Sequence, residues 1–194
     1  MKQGKKLWKA ILIPTASLFV ICAVSTVLLA LTNNVTAPMI AELAAKTAAE
    51  TRQTVLGGAN RFSEPKAVTL DGAAYTYYEG FDGDTPVGYV FTTQSKGYGG
   101  AVEIMTGIDR NGTVAGVQTL TLNETAGLGM NAKNETFRSQ FKGKSGKIGV
   151  AKNNPGDDEI QALTGATITS KAVTDAVNLA LRLYTQVTGG AANG

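Results

Sequence analysis

From Ala10 to Leu31 the chain reads AILIPTASLFVICAVSTVLLAL, twenty-two residues without one charged side chain. About 20 consecutive apolar residues span the hydrocarbon core of a bilayer, so this run predicts a transmembrane helix over 10–31. Pro14 lies near its start, where a helix tolerates proline best. Lys2, Lys5, Lys6 and Lys9 precede the run as a basic tail over 1–9. By the positive-inside rule they predict a cytoplasmic N-terminus, with everything after residue 32 outside a bacterial cell (inner) membrane. A cleaved signal peptide also starts basic, but its apolar region is usually about 7–15 residues long and ends at a small-x-small site. This run is longer and no such site follows Leu31, so an uncleaved single-pass anchor in the lipid bilayer is expected. Cys22 falls in mid-membrane and is assigned no chemistry.

Composition then removes most chemistries. The chain has no histidine and a single cysteine. Histidine-ligated zinc, haem with a histidine axial ligand, thiolate-held iron–sulfur clusters, internal disulfides and histidine-assisted nucleophiles are all excluded, and no metal site is expected. Redox chemistry here requires an organic cofactor. The four N-terminal lysines exceed the whole net charge of +3, so the rest of the chain is slightly acidic. That distribution argues against nucleic acid as a partner.

After the anchor, Ile40, Leu43, Ala44 and Thr47 recur at helical spacing behind Pro38, a plausible first-turn proline. Gly57 and Gly58 would end that helix. Residues 32–60 therefore read as a helical connector, a simple spacer. From about residue 66 short runs rich in Val, Tyr and Thr alternate with Gly, Asp and Pro, the pattern of strands. In AVEIMTGIDRNGTVAGVQTLTL the Asn111-Gly112 pair predicts a tight hairpin with positive φ at both central residues. NETFRSQF predicts a short helix and KIGV a short strand. Val173, Ala176, Val177, Ala180, Leu181 and Tyr184 form one apolar helical face, stopped by Gly189 and Gly190. The expected fold is α+β: a transmembrane helix, a connector, a compact domain over 61–188 with antiparallel hairpins and flanking helices, and a flexible end over 189–194. No nicotinamide fingerprint occurs, since GYGG is not G-x-G-x-x-G and no long βαβ unit frames it.

The segment QALTGATITSKAVTDAV, Gln161 to Val177, places Thr164, Thr167, Thr169 and Ser170 before the last helix. Either Thr169 or Ser170 can serve as its N-cap. Thr164 and Thr167 remain, separated by Gly165 and Ala166, and Gly165 permits a positive-φ turn that presents their hydroxyls. A loop ending in a helix N-terminus suits an anion such as phosphate.

LTGATITS resembles the S/T-G-A-T signature of the covalent-FMN domain family found in Rnf electron-transport complexes and in the sodium-pumping NADH:quinone oxidoreductase. Two further segments resemble the same family in the same order: KGYGGAVEIMTGID (Lys96–Asp109) and LNETAGLGM (Leu122–Met130), with Ala126 where the family has proline. NNVTAPMI after the anchor is similar as well. Gln161 stands where the family's transferase-recognition pattern usually has aspartate. The likeness covers nearly the whole chain and is closer to the Rnf branch.

The resemblance implies FMN joined through its phosphate to the hydroxyl of Thr167 by a flavin transferase. Thr164, Gly165, Ala166, Thr169 and Ser170 would surround the attachment point. Thr125, Gly127, Leu128, Gly129, Tyr98 and Gly99 would lie against the flat ring, with Thr125 on its pyrimidine edge. Tyr98 is assigned either to a face of the ring or to the β core. Glu124 is assigned either to support of the site or to solvent, and Lys171 to the phosphate or to solvent. No residue is expected to be catalytic. The implied function is electron relay within an ion-pumping Rnf-type complex of membrane and redox subunits, coupling ferredoxin/NAD electron transfer to ion transport. The alternative is a stand-alone extracytoplasmic reductase built on the same domain.

Overall fold

The structure is a computed structural model that describes residues 2–189, with side chains from residue 11 onward. The lysine side chains of the basic tail and residues 190–194 of the expected flexible end lie outside the described residues. Two units divide the chain, Met1–Thr47 and Ala48–Gly194.

The first unit is helical, within α1 (Lys2–Val55). Its side chains Leu18, Phe19, Ile21, Val24, Leu28 and Leu29 are all exposed to the surroundings. Among the described residues α1 is the one helix long and apolar enough to cross a membrane. The expected break before Pro38 is absent: Pro14 and Pro38 both lie inside the helix. The hydroxyls of the polar stretch before Pro38 bond backward along the helix. Thr32 Oγ1 donates to the Leu28 carbonyl at 2.8 Å and Thr36 Oγ1 to the Thr32 carbonyl at 2.9 Å. Such bonds satisfy Ser and Thr side chains inside a helix without water.

The second unit is built on an antiparallel sheet ordered β1 (Arg61–Phe62), β3 (Ala73–Asp82), β4 (Thr85–Lys96), β5 (Ala101–Asp109), β6 (Val114–Leu122). A further strand, β2 (Lys66–Leu70), also pairs with β3. Then come α2 (Glu135–Arg138), a parallel pair β7 (Gly149–Ala151) and β8 (Glu159–Gln161), and α3 (Thr167–Val187). The period-2 alternation of β4 and β5 sends side chains to two separate cores. Tyr89, Phe91, Ile104 and Ile108 face α3, whose Val173, Ala176, Val177, Ala180, Leu181 and Tyr184 are all buried, as their spacing predicts. Thr93 Oγ1 crosses this contact to donate to the Ala176 carbonyl at 2.8 Å.

Val90 and Met105 face the opposite side, where the last turn of α1 and the residues after it bring Val55, Leu56 and Ala59. A diagonal of cross-strand pairs, Gly80 with Gly88 and Gly107 with Gly116, clears the way for that turn. A Cβ at Gly107 would lie 2.2 Å from the Val55 carbonyl oxygen, and one at Gly80 would lie 2.5 Å from Leu56 Cδ2. Arg52 adds a guanidinium 4.2 Å from the centre of the Tyr78 ring.

The β5–β6 hairpin forms as expected but through a different turn. Gly112 alone has positive φ, at 81°. The Asp109 carboxylate accepts the Asn111 N–H at 2.8 Å and the Thr113 N–H at 3.0 Å. The Asp109 N–H reaches across to the Thr113 carbonyl at 2.9 Å. This aspartate therefore widens the loop beyond the two-residue turn that Asn-Gly alone would favour.

Two outcomes test these packing arguments. Gly107→Ala is expected to lower unfolding stability by roughly 2 kcal/mol, because the clash is with backbone and no rotamer relieves it; urea unfolding of the purified protein measures this. Burial pushes the Tyr184 phenol above its ordinary value, with Tyr89 and Asp109 adding to the effect. The unfolded chain then loses this proton first, so stability falls as pH rises past about 10. Tyr184→Phe, which also forfeits the 2.8 Å bond to the Arg110 carbonyl, is expected to show a shallower alkaline loss in the same unfolding assay repeated across pH.

Candidate functional site

The turn that feeds α3 is held by one buried hydroxyl. Ser170 Oγ accepts the Leu163 N–H at 2.9 Å and donates to the Ala166 carbonyl at 3.0 Å. Between these anchors Gly165 turns the chain at φ 73°. The helix begins at Thr167, earlier than its expected caps, and Ala166 occupies the N-cap position without any side-chain bond. Neither Thr169 nor Ser170 caps the helix. Both lie inside its first turn and are buried, because the Ser170 hydroxyl is already used in closing the turn. The first intrahelical bond runs from the Ser170 N–H to the Ala166 carbonyl at 3.0 Å. The amides of Thr167, Ile168 and Thr169 precede it and are the donors that a helix start leaves open.

Against this helix start stand two glycine-rich segments from the far ends of β4, β5 and β6. Gly97 to Gly100 links β4 to β5, closed by a Gly97 N–H to Gly100 carbonyl bond of 2.7 Å. The segment 123–129 leaves β6 and turns through Gly127 at φ 77°. Ala126 replaces no lost bond here. The Leu128 and Met130 N–H groups both donate to the Thr125 carbonyl at 3.2 Å, and Asn131 Nδ2 donates to the Gly127 carbonyl at 2.9 Å.

These three segments enclose a cavity of about 500 Å³ lined by Tyr98, Glu124, Thr125, Leu128, Gly129, Gly165, Ala166, Thr167, Ile168 and Thr169. Eight of the residues expected at a site from sequence thus meet at one place. Thr164 instead faces a neighbouring groove with Asn131, Asn134 and Gln140. Ser170 is fully buried behind the wall. Gly99 abuts the Asn123 carbonyl, which a Cβ there would approach to 2.2 Å. Gly127 shapes the loop through its positive φ and is itself exposed. Lys171 is exposed, on the solvent side of the first turn.

Tyr98 is 74% exposed, so its place is the mouth of this cavity and not the β core. Leu128 and Ile168 are exposed beside it. Beyond α1 these three are the large apolar side chains left open to solvent among the described residues. An apolar cluster of this kind marks a binding surface more often than chance. No partner in the chain engages the hydroxyls of Thr125, Thr164, Thr167 or Thr169 among the described residues. Ile168 escaped the sequence reading, although its position off the buried stripe of α3 was the available signal. A larger cleft of about 810 Å³ lies along the other end of α3, between Asn111, Lys147, Asp175, Asn178, Arg182 and Thr185. It contains none of the expected residues, and size alone supplies no chemistry.

Residues 97–182, from the first glycine-rich segment to within α3, match the FMN-binding domain family. The chain is 35% identical to the G subunit of the proton-translocating ferredoxin:NAD(+) oxidoreductase complex of Clostridium ljungdahlii, over 91% of its own length and 92% of the relative's. It is 39% identical to the Na(+)-translocating counterpart of Acetobacterium woodii, over 91% and 93%. Among solved structures, the C subunit of the Na(+)-translocating NADH-quinone reductase of Parabacteroides distasonis has the same fold. Its TM-score is 0.53 at 20% identity, covering 74% of this chain and 90% of that one. NqrC of Shewanella oneidensis is similar, with a TM-score of 0.52 at 19% identity, covering 70% and 74%. The chain belongs to the G-subunit family of ion-translocating, Rnf-type ferredoxin:NAD oxidoreductase complexes, and its folded unit contains an FMN-binding domain.

Proposed function

We propose that this protein is a membrane-anchored flavoprotein subunit that relays electrons through one FMN, joined by its phosphate to Thr167. It works among the other membrane and redox subunits of an ion-translocating ferredoxin:NAD oxidoreductase complex. The single observation that carries the reading is the meeting of an unengaged Thr167 hydroxyl, open helix amides and an exposed apolar cluster at one 500 Å³ cavity.

Each part of FMN has a fitting counterpart. The open amides of Thr167, Ile168 and Thr169, backed by the helix dipole, suit the charge that a phosphodiester keeps. Thr167 is read as the acceptor because it is the last threonine of the T-G-A-T signature and lines the cavity with its hydroxyl unengaged, whereas that of Ser170 is committed to the turn. Tyr98, Leu128 and Ile168 offer the apolar surface that a flat ring system needs. Thr125 brings a hydroxyl for its polar edge. Gly129 must lack a side chain, since a Cβ there would come within 2.6 Å of Thr169 Oγ1. Bound FMN supplies reversible electron uptake and release; the chain supplies binding, orientation and electrostatics.

The anchor is read as single-pass, with the lysine-rich end in the cytoplasm and the flavin domain on the outer side. A flavin transferase would complete maturation there. The proposed domain boundaries are a basic tail over 1–9, a membrane segment over 10–31, a connector over 32–60, the flavin domain over 61–188 and a terminal segment over 189–194.

Full-length protein from its native membrane is expected to carry the mass of one FMN less one water on the peptide containing Thr167. Thr167→Ala should lose that mass, and with it the fluorescent band of the denatured protein, while keeping its unfolding midpoint. A fluorescent band that persists in the variant rules out the assignment.

A further inference from the structure

Glu124 occupies a place that two glycines keep open. A Cβ on Gly97 would stand 2.2 Å from Glu124 Oε1, and one on Gly129 would stand 2.8 Å from Glu124 Cβ and 2.9 Å from Oε2. No ordinary side chain at either position leaves room for the glutamate as it lies. The carboxylate is threaded between the two glycine-rich segments and lines the cavity on its way. Its Oε1 accepts the Tyr98 N–H at 2.8 Å, across 26 residues of sequence. No ion pair engages it among the described residues. Two consequences follow. The bond to a charged acceptor, stronger than a neutral one, pins the exposed Tyr98 to the segment that carries Leu128. The wall of the cavity also acquires a carboxylate that no ion pair engages among the described residues.

We infer that Glu124 is a positioning residue for the flavin: it holds the Tyr98 segment over the cavity mouth and sets a negative charge that lowers the flavin's reduction potential. The inference rests on FMN occupying this cavity. An added electron makes a flavin more negative, and a carboxylate close by, screened less than in bulk water, disfavours that addition. The start of α3 acts in the opposite sense, but at the phosphate end of the cavity. Glu124 is the acidic side chain among the described residues that line the cavity, and so a direct means of tuning the carrier.

Glu124→Gln and Glu124→Ala separate the two roles. Glutamine keeps an oxygen that can accept the Tyr98 N–H and removes the charge; alanine removes both. In full-length, flavin-bearing protein, Glu124→Gln is expected to raise the midpoint potential measured by spectroelectrochemical titration, with hydrogen exchange at the Tyr98 amide sped less than in Glu124→Ala, because a neutral acceptor remains. Glu124→Ala is expected to raise the potential and to speed that exchange about tenfold or more, the loss of one charge-assisted bond. A Glu124→Gln potential equal to or below that of the parent overturns the electrostatic role. Unchanged Tyr98 exchange in Glu124→Ala overturns the positioning role. Failure of the underlying reading looks different: the parent protein itself would carry no flavin mass on the Thr167 peptide, while the exchange comparison would still report on the Glu124–Tyr98 bond.

Discussion

A single buried serine hydroxyl governs where the site can be. By accepting from Leu163 and donating to Ala166, Ser170 forces the chain through a tight turn immediately before α3. The helix therefore starts abruptly, with no side chain folded over its first amides. A conventional Ser or Thr cap would satisfy one of those donors internally and weaken the pull on an external anion. Ser170 instead spends its hydroxyl one turn deeper. Thr167 is left at the first helical position with its own hydroxyl unengaged, and α3 is fixed behind it by a largely apolar buried face. Precision at the helix start thus comes from burial further along the same helix.

Glycine serves a second purpose throughout the domain, that of making room. Gly107 and Gly116 let the Val55 backbone at the end of α1 approach the sheet, and Gly80 and Gly88 make room for the Leu56 side chain that follows. Gly97 and Gly129 do the same for one side chain, Glu124. Glycine in a strand ordinarily weakens it, through lost packing and greater unfolded-state freedom. Here that cost is offset by what enters the space. One set of glycines seats the chain that arrives from the apolar segment, and the other admits a carboxylate to the cavity wall.

These space-making roles explain which features were legible in the sequence. The buried face of α3 was readable because Val173, Ala176, Val177, Ala180, Leu181 and Tyr184 follow a simple period. The convergence of Tyr98, Leu128 and Thr167 was readable only through resemblance, since no periodicity relates three loops so far apart. Pro38 misled because proline favours helix starts, yet α1 continues through it. Asn111-Gly112 misled because the competing acceptor, the Asp109 side chain, sits outside the dipeptide that propensity considers. Strand β8 was invisible: three residues paired in parallel carry no pattern of their own. The alternatives for Tyr98 differed by burial alone, which only tertiary structure decides.

The openness of the cavity bears on why a covalent link would be useful. Tyr98, Leu128 and Ile168 are exposed, and the polar contacts on offer are a few hydroxyls and amides. Sites that retain a free cofactor usually enclose most of its surface. Enclosure, however, lengthens the distance at which a second redox centre can approach. Under the proposed tether, retention is moved to one bond at the phosphate, remote from the ring. The ring can then stay shallow and accessible to partners on either side of an exchange, with no affinity lost to that exposure. A relay needs such accessibility twice per electron, once to receive and once to deliver.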